Sequence, residues 1–140
     1  MSLHYEVVFG CFLREDTPET VLDTLRWHMG LLEDRPSFLQ PDEYDEQFLM
    51  PDPHSPLAGG DLAELRLQDG GWGLLSRSYQ LDDDIGWVFH LIELIAPYAA
   101  TRGYGGFFRE VDEVVPTVFA FADGRFGLTE KWGKIPLWKS

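Results

Sequence analysis

The first apolar stretch of the chain, residues 4–13, has the pattern of a β-strand with hydrophobic side chains on both faces. Successive residues of a strand point to opposite faces, so a sheet with one face in water alternates apolar and polar positions. One face of this strand carries Tyr5, Val7, Phe9, Cys11 and Leu13. The opposite face still holds Val8 and Phe12. We therefore expect both sheet faces to be covered here, the second by the chain's own tail, a second copy or a ligand.

Two segments have the spacing of helices. The run Asp16-Thr17-Pro18-Glu19 offers a capping residue, a proline at the first helical position and an early carboxylate, which is typical of a helix start. Apolar residues at helical spacing follow, and Gly30 stands where a helix often ends. The second helix is predicted over 83–98, capped by the three aspartates at 82–84. Because it is apolar nearly all round, we expect it to be buried on more than one side.

The remaining patterns predict strands joined by tight turns. Asp69-Gly70-Gly71 separates two strands, at 61–68 and 72–81, and Asp123-Gly124 separates two more, at 117–122 and 125–130. Such glycine-containing pairs are strong hairpin signals. A further strand is predicted over 107–112 after Gly105-Gly106.

The order of these elements predicts an α+β fold. Its first six elements match the βαββαβ pattern of a ferredoxin-like two-layer sandwich, and an extra C-terminal β-hairpin strand follows. A chain of 140 residues fits a single domain, 1–140. Residues 33–60, which hold five prolines and seven acidic side chains, are predicted to form a long acidic loop after helix 1, and 131–140 to form a tail. A ferredoxin-like fold serves many functions, so it does not define an activity.

Charge and composition limit the partners. The net charge of −13 is concentrated in residues 1–70, which carry −11, and this surface repels nucleic-acid phosphates. Simple solubility, attraction to a basic protein partner and weak cation binding all remain possible reasons for it. No run approaches the length of a membrane span, and the N-terminus lacks a basic stretch followed by an apolar one, so we expect no signal peptide. The single cysteine, Cys11, cannot form an internal disulfide, so we expect a cytoplasmic protein with a buried thiol.

No motif in the sequence identifies a reaction, a metal or a cofactor. His90 and Glu93 lie three residues apart on the second helix, but no second pair completes a metal-ligand set, so we predict no metal and no cofactor. Arg109 and Tyr104 are the best candidates for holding an anionic ligand, and aromatic residues could line the second sheet face. The candidate ligand-binding residues are Trp72, Tyr104, Phe108, Arg109, His90 and Glu93.

These observations favour a non-catalytic binding module that forms a homodimer and binds a protein or a small ligand. Pairing of two identical sheet faces about a two-fold axis would close the second face simply. Two alternatives remain open. One is a small-molecule enzyme of the dimeric α+β barrel type, with an apolar cavity between two sheets. The other is an inhibitor or immunity-type protein for a basic partner.

Overall fold

The computed structural model describes residues 3–100 and 102–129, and the backbone of residues 138 and 139. In these residues two helices accompany one antiparallel sheet, whose strand order is β2-β3-β1-β4-β5-β6-β7. The elements are β1 His4–Leu13, α1 Glu19–His28, β2 Leu62–Gln68, β3 Gly71–Leu81, α2 Ile85–Ile95, β4 Gly103–Glu110, β5 Thr117–Ala122, β6 Arg125–Leu128 and β7 Trp138–Lys139. Apart from the backbone of β7, the predicted tail lies outside the described residues.

The predicted α+β class is confirmed, with one antiparallel sheet and two helices. A ferredoxin-like sheet has four strands, whereas this sheet continues past β4 into β5, β6 and β7, so its strand order differs from that fold. The predicted extra strand, β6, belongs to the main sheet through its pairing with β5.

Turn chemistry explains both hairpins. Asp123 and Gly124 adopt φ angles of 54° and 76°, which suit the predicted two-residue turn, and Phe121 pairs with Phe126 across it. In the first hairpin, Gln68 pairs with Gly71, so Asp69 and Gly70 form the turn.

The helix starts are less regular than the sequence predicts. Pro18 precedes α1, but no side chain caps the helix: Asp16 instead pairs with Arg14 at 2.9 Å, and Thr17 donates to the carbonyl of Arg14 at 2.6 Å. The aspartates at 82–84 form a separate 3-10 turn and also cap nothing through their side chains. Gly30, at φ 76°, does follow the end of α1 in the left-handed conformation.

Both helices pack on the same face of the sheet, which we call the helix-covered face. Phe9 and Leu13 of β1 are fully buried there, in one apolar cluster with Leu25 of α1 and Leu91 of α2. The other face, which we call the open face, carries the alternate residues of the strands. Its exposed side chains include Leu75, with 45% of its surface accessible, because no helix covers them.

The acidic loop is an integral part of the helix layer. Tyr44 and Phe48 are buried in the core cluster, with ring centroids 5.5 Å from that of Trp87 on α2. The guanidinium of Arg35 donates to carbonyls at residues 39, 40, 43 and 44, which holds the segment in a compact shape. Residues 33–60 contain no helix and no strand, so their order comes from these side-chain contacts.

A buried histidine joins this loop to α1. His28 is fully buried, and its Nδ1 accepts a 3.0 Å hydrogen bond from the backbone N–H of Phe48. This bond places the ring proton on Nε2. Burial lowers the pKa of His28 from 6.5 to about 4, so the ring is neutral at physiological pH.

No helix in the described part of the chain is both long enough and apolar enough to cross a membrane.

Candidate functional site

The open face contains a recess whose floor is formed by glycines. Gly10 of β1 and Gly73 of β3 lie on neighbouring strands and line a cavity of about 330 Å³. The side chain of Gln68 lies over Gly73, so the open part of the floor is at Gly10. Phe12, Leu75 and Tyr104 form its apolar walls. The side of the cavity toward β2 is polar, with Glu64, Arg66 and Gln68. We call this cavity the glycine recess.

A bulge in β4 places Tyr104 at the edge of the recess. The pairing of β4 with β5 shifts register between Tyr104 and Gly106. Gly106 has a φ of 154°, and a Cβ there would lie 2.0 Å from the carbonyl oxygen of Val8, so only glycine allows the strands to approach this closely. Tyr104 consequently stands beside Gly10 with 51% of its surface exposed.

Further along the same face, a buried carboxylate lies between two arginines. Glu6 of β1 is 5% exposed, and it lies opposite Tyr79 of β3 on one side and opposite Arg109 of β4 on the other. Its Oε2 accepts from Nε of Arg77 at 2.6 Å, and its Oε1 accepts from Nε of Arg109 at 2.7 Å. Burial alone raises the pKa of Glu6, but the hydrogen bonds and charges of the two arginines outweigh it and hold that pKa below its ordinary value.

Backbone carbonyls hold the outer side of both guanidiniums. Nη1 of Arg77 donates to the carbonyls of Ala58 and Gly60, and Nη1 of Arg109 donates to those of Val111 and Glu113. The two arginines border a cavity of about 270 Å³, which we call the arginine pocket. Its other lining residues are Pro56, Leu57, Ala58, Tyr79 and Val111.

The structure distributes the six candidate residues over three places. Tyr104 lines the glycine recess and Arg109 the arginine pocket, so both lie on the open face. Phe108 is on the helix-covered face, with its ring centroid 5.5 Å from that of Phe89, and Trp72 lies beneath Arg26 of α1, 5.3 Å from its guanidinium carbon. These two aromatic rings therefore belong to the packing between helices and sheet.

The remaining two candidates lie on the outer side of α2. His90 and Glu93 are both exposed, and His90 has its ring centroid 5.3 Å from that of Trp87. The sheet separates them from the residues of the open face. Among residues 3–100 and 102–129, no three histidine, cysteine or acidic side chains come together as a metal-ligand group.

The sequence reasoning missed Gly10 and Arg77, which line the two cavities of the open face, and Glu6, which binds both arginines. Glu6 is the only charged residue in β1, and a charge within a central strand is a signal that a partner must lie beside it. Its partners come from β3 and β4, more than 70 residues away, so the spacing in the sequence does not connect them.

Cys11 also lines the recess, but its side chain belongs to the buried core cluster. Its thiol is buried on the helix-covered face, as predicted, and burial raises its pKa to about 12. A thiol with this pKa stays protonated and is a poor nucleophile. The open face therefore presents an apolar cavity and fixed arginine donors.

No protein-family model, curated protein or solved structure matches this chain.

Proposed function

We propose that the protein is a non-catalytic binding module that takes a small apolar ligand in the glycine recess. The observation that supports this is Gly10, whose missing side chain leaves open the floor of a cavity of about 330 Å³ on a face that neither α1 nor α2 covers. Ligand cavities typically begin at this size and combine apolar walls with a few polar groups. A flat aromatic group fits between Phe12, Leu75 and Tyr104, and Arg66 and Gln68 can orient a polar substituent.

The test variant, Gly10→Ala, adds one methyl group to the floor of the recess. A Cβ at Gly10 would lie 3.6 Å from Tyr104 and 4.0 Å from Leu75, which are ordinary contact distances, so Gly10→Ala folds without strain. Ligand-observed NMR with a library of neutral aromatic fragments measures binding. We expect Gly10→Ala to weaken the binding fragments about tenfold, since overpacking a filled site costs on the order of 1–3 kcal/mol.

Gly86→Ala is the matched control. Gly86 lies on α2, across the sheet from the recess, and a Cβ there meets nothing within 4 Å. We expect this variant to bind the fragments with the same affinities as the wild type. Equal affinities for wild type and Gly10→Ala, or no fragment binding to the wild type at millimolar concentration, would reject the recess as a binding site.

We also propose that two copies pair through the exposed edge of β2. Strand β2 ends the sheet, and Leu67 on it is 58% exposed. Antiparallel pairing of two β2 strands about Leu65 sets Glu64 of each copy opposite Arg66 of the other, so the edge is complementary to itself. Leu31, which is 52% exposed and borders the same shallow groove as Ala63, would be covered by the second copy.

Charge reversal tests the edge pairing by sedimentation. We expect Arg66→Glu and Glu64→Arg each to be monomeric, because either change sets like charges opposite each other. Mixing these two variants restores complementary pairs and therefore a heterodimer. The double variant Glu64→Arg with Arg66→Glu restores the homodimer. This arrangement would be contradicted if the wild type is monomeric at high protein concentration, or if the single charge-reversal variants still form dimers.

The ferredoxin-like relationship is part of the proposal as well. Its support is the neighbour order β2-β3-β1-β4 and the packing of both helices on one face. In this view β5, β6 and β7 extend a four-stranded unit at its β4 edge. A variant truncated after β4 that still folds would support the unit, and one that stays unfolded would contradict it.

A further inference from the structure

The arginine pocket contains hydrogen-bond donors that the described residues leave unused. Arg77 and Arg109 both use Nε on Glu6 and Nη1 on backbone carbonyls. Neither Nη2 donates to an atom of residues 3–100 or 102–129. Because Glu6 and the carbonyls fix both guanidiniums, which line the cavity, the two remaining nitrogens are held in place as donors.

The charge of this group favours a monovalent anion. Two guanidiniums and one carboxylate leave a net charge of +1, in a chain whose net charge is −13. A single carboxylate neutralises this excess, whereas a phosphate dianion would add a negative charge that the rest of the protein repels. Planar guanidinium groups also match the two oxygens of a carboxylate.

The walls of the pocket favour an acid with an apolar body. Pro56, Leu57 and Val111 line it, and Tyr79 adds an aromatic ring whose centroid lies 5.1 Å from that of His4. A volume of about 270 Å³ suits a ligand of modest size. The arginines lie at one side of this apolar cavity, as the recognition of a short hydrophobic acid requires.

We propose that the arginine pocket binds the carboxylate of a small hydrophobic acid, with the Nη2 groups of Arg77 and Arg109 as its donors. This site goes beyond the glycine recess, with which it shares no lining residue. The two sites lie four residues apart along β1, from Glu6 to Gly10, or roughly 13 Å at the rise of a strand.

Titration of the full chain with benzoate and hexanoate tests the site. The readout is the ¹⁵N NMR signals of the arginine side chains, which report the donors directly. We expect the signals of Arg77 and Arg109 to shift with saturation, and the affinity to fall as salt is added. Benzyl alcohol and hexanol, which have similar bodies but no charge, should leave these signals in place. Equal shifts with the alcohols, or tighter binding of inorganic phosphate, would overturn the proposal.

Two variants separate ligand binding from folding. Arg109→Gln removes one donor and should weaken benzoate about tenfold, the loss expected for one charge-assisted hydrogen bond. Val111→Trp fills the cavity, keeps both arginines, and should abolish benzoate binding even if Arg109→Gln fails to fold.

Two controls complete the experiment. Arg125→Gln, at an exposed arginine outside the pocket, should bind benzoate as the wild type does. Gly10→Ala should also leave benzoate binding unchanged, so failure of this proposal is distinguishable from failure of the glycine recess. Unchanged binding in Val111→Trp, or an equal loss in Arg125→Gln, would reject the pocket.

Discussion

The two faces of the sheet differ most clearly at two neighbouring residues of β1. Val7 is fully buried beneath the helices, whereas Val8 lies only partly buried on the open face. Their hydrophobicity is the same, so the sequence alone gives both the appearance of core residues. The comparison teaches that apolar character on the helix-covered face stabilises the fold, while on the open face it leaves surface for a ligand or a partner.

The largest expected effect separates the two faces by stability. Phe9 is fully buried, with its ring centroid 5.3 Å from that of Phe119, so Phe9→Ala should lower the free energy of unfolding by about 3–5 kcal/mol. Val8→Ala, one residue away, should cost about 1 kcal/mol or less. Urea denaturation measures both, and comparable losses would mean that the open face is as well covered as the other.

The next largest effect is a pH dependence of the free energy of unfolding that arises on the helix-covered side. His28 on the helix-covered side has a folded pKa of about 4 against an ordinary value of 6.5, so the unfolded state binds its proton first. Stability should therefore fall by about 3 kcal/mol as the pH drops from 6.5 to 4. Urea denaturation across this range should show a shallower pH dependence in His28→Gln. His54→Gln, at an exposed histidine, is the control, and an unchanged slope in His28→Gln would contradict the assignment.

The carboxylate of the open face should respond in a lower pH range. The pKa of Glu6 in the folded protein is held below its ordinary 4.5. The carboxylate therefore stabilises the folded state above pH 4.5, and this stabilisation is lost as the pH falls through the pKa of the folded state. Glu6→Gln should cost about 2 kcal/mol at neutral pH, because it weakens two charge-assisted hydrogen bonds. A variant as stable as wild type in thermal unfolding would show that the arginines do not need this partner.

The smallest expected effect tests whether the open face is exposed in solution. Leu75→Ser should change stability by less than about 0.5 kcal/mol, since nearly half of this side chain is already accessible. Leu74→Ser, on the buried side of the same strand, is the contrasting variant and should be severely destabilising. A large loss in Leu75→Ser, measured by urea denaturation, would indicate a covering layer over the open face.

Local patterns predicted the strands well, because the signals that define them are short. Asp123 and Gly124 fix the register of their hairpin through backbone conformation alone, and the alternation along β1 separates its two faces. Neither helix covers the open face, where Tyr104 and Leu75 are about half exposed, so a second copy or a ligand over this face stays a prediction. A pattern of apolar residues does not reveal what lies over them.

The contacts of the long loop and the open-face cavities escaped prediction because they join distant parts of the chain. Phe48 meets His28 across 20 residues, and Arg109 meets Glu6 across 103. Gly10 became informative only when the pairing of β1 placed it beside Gly73 and Tyr104. Spacing along the sequence carries no trace of such neighbours, whereas turns and helix stops are encoded within a few residues.

The bond from Phe48 to His28 has a consequence for hydrogen exchange. The amide of Phe48 belongs to a segment without helix or strand, yet it donates to a fully buried ring, and the next amide, Leu49, donates to the carbonyl of His28. Both amides open only when the end of α1 opens, so their deuterium uptake should follow that helix. An exchange map of this protein would therefore mark slow protons in a segment that has no regular secondary structure.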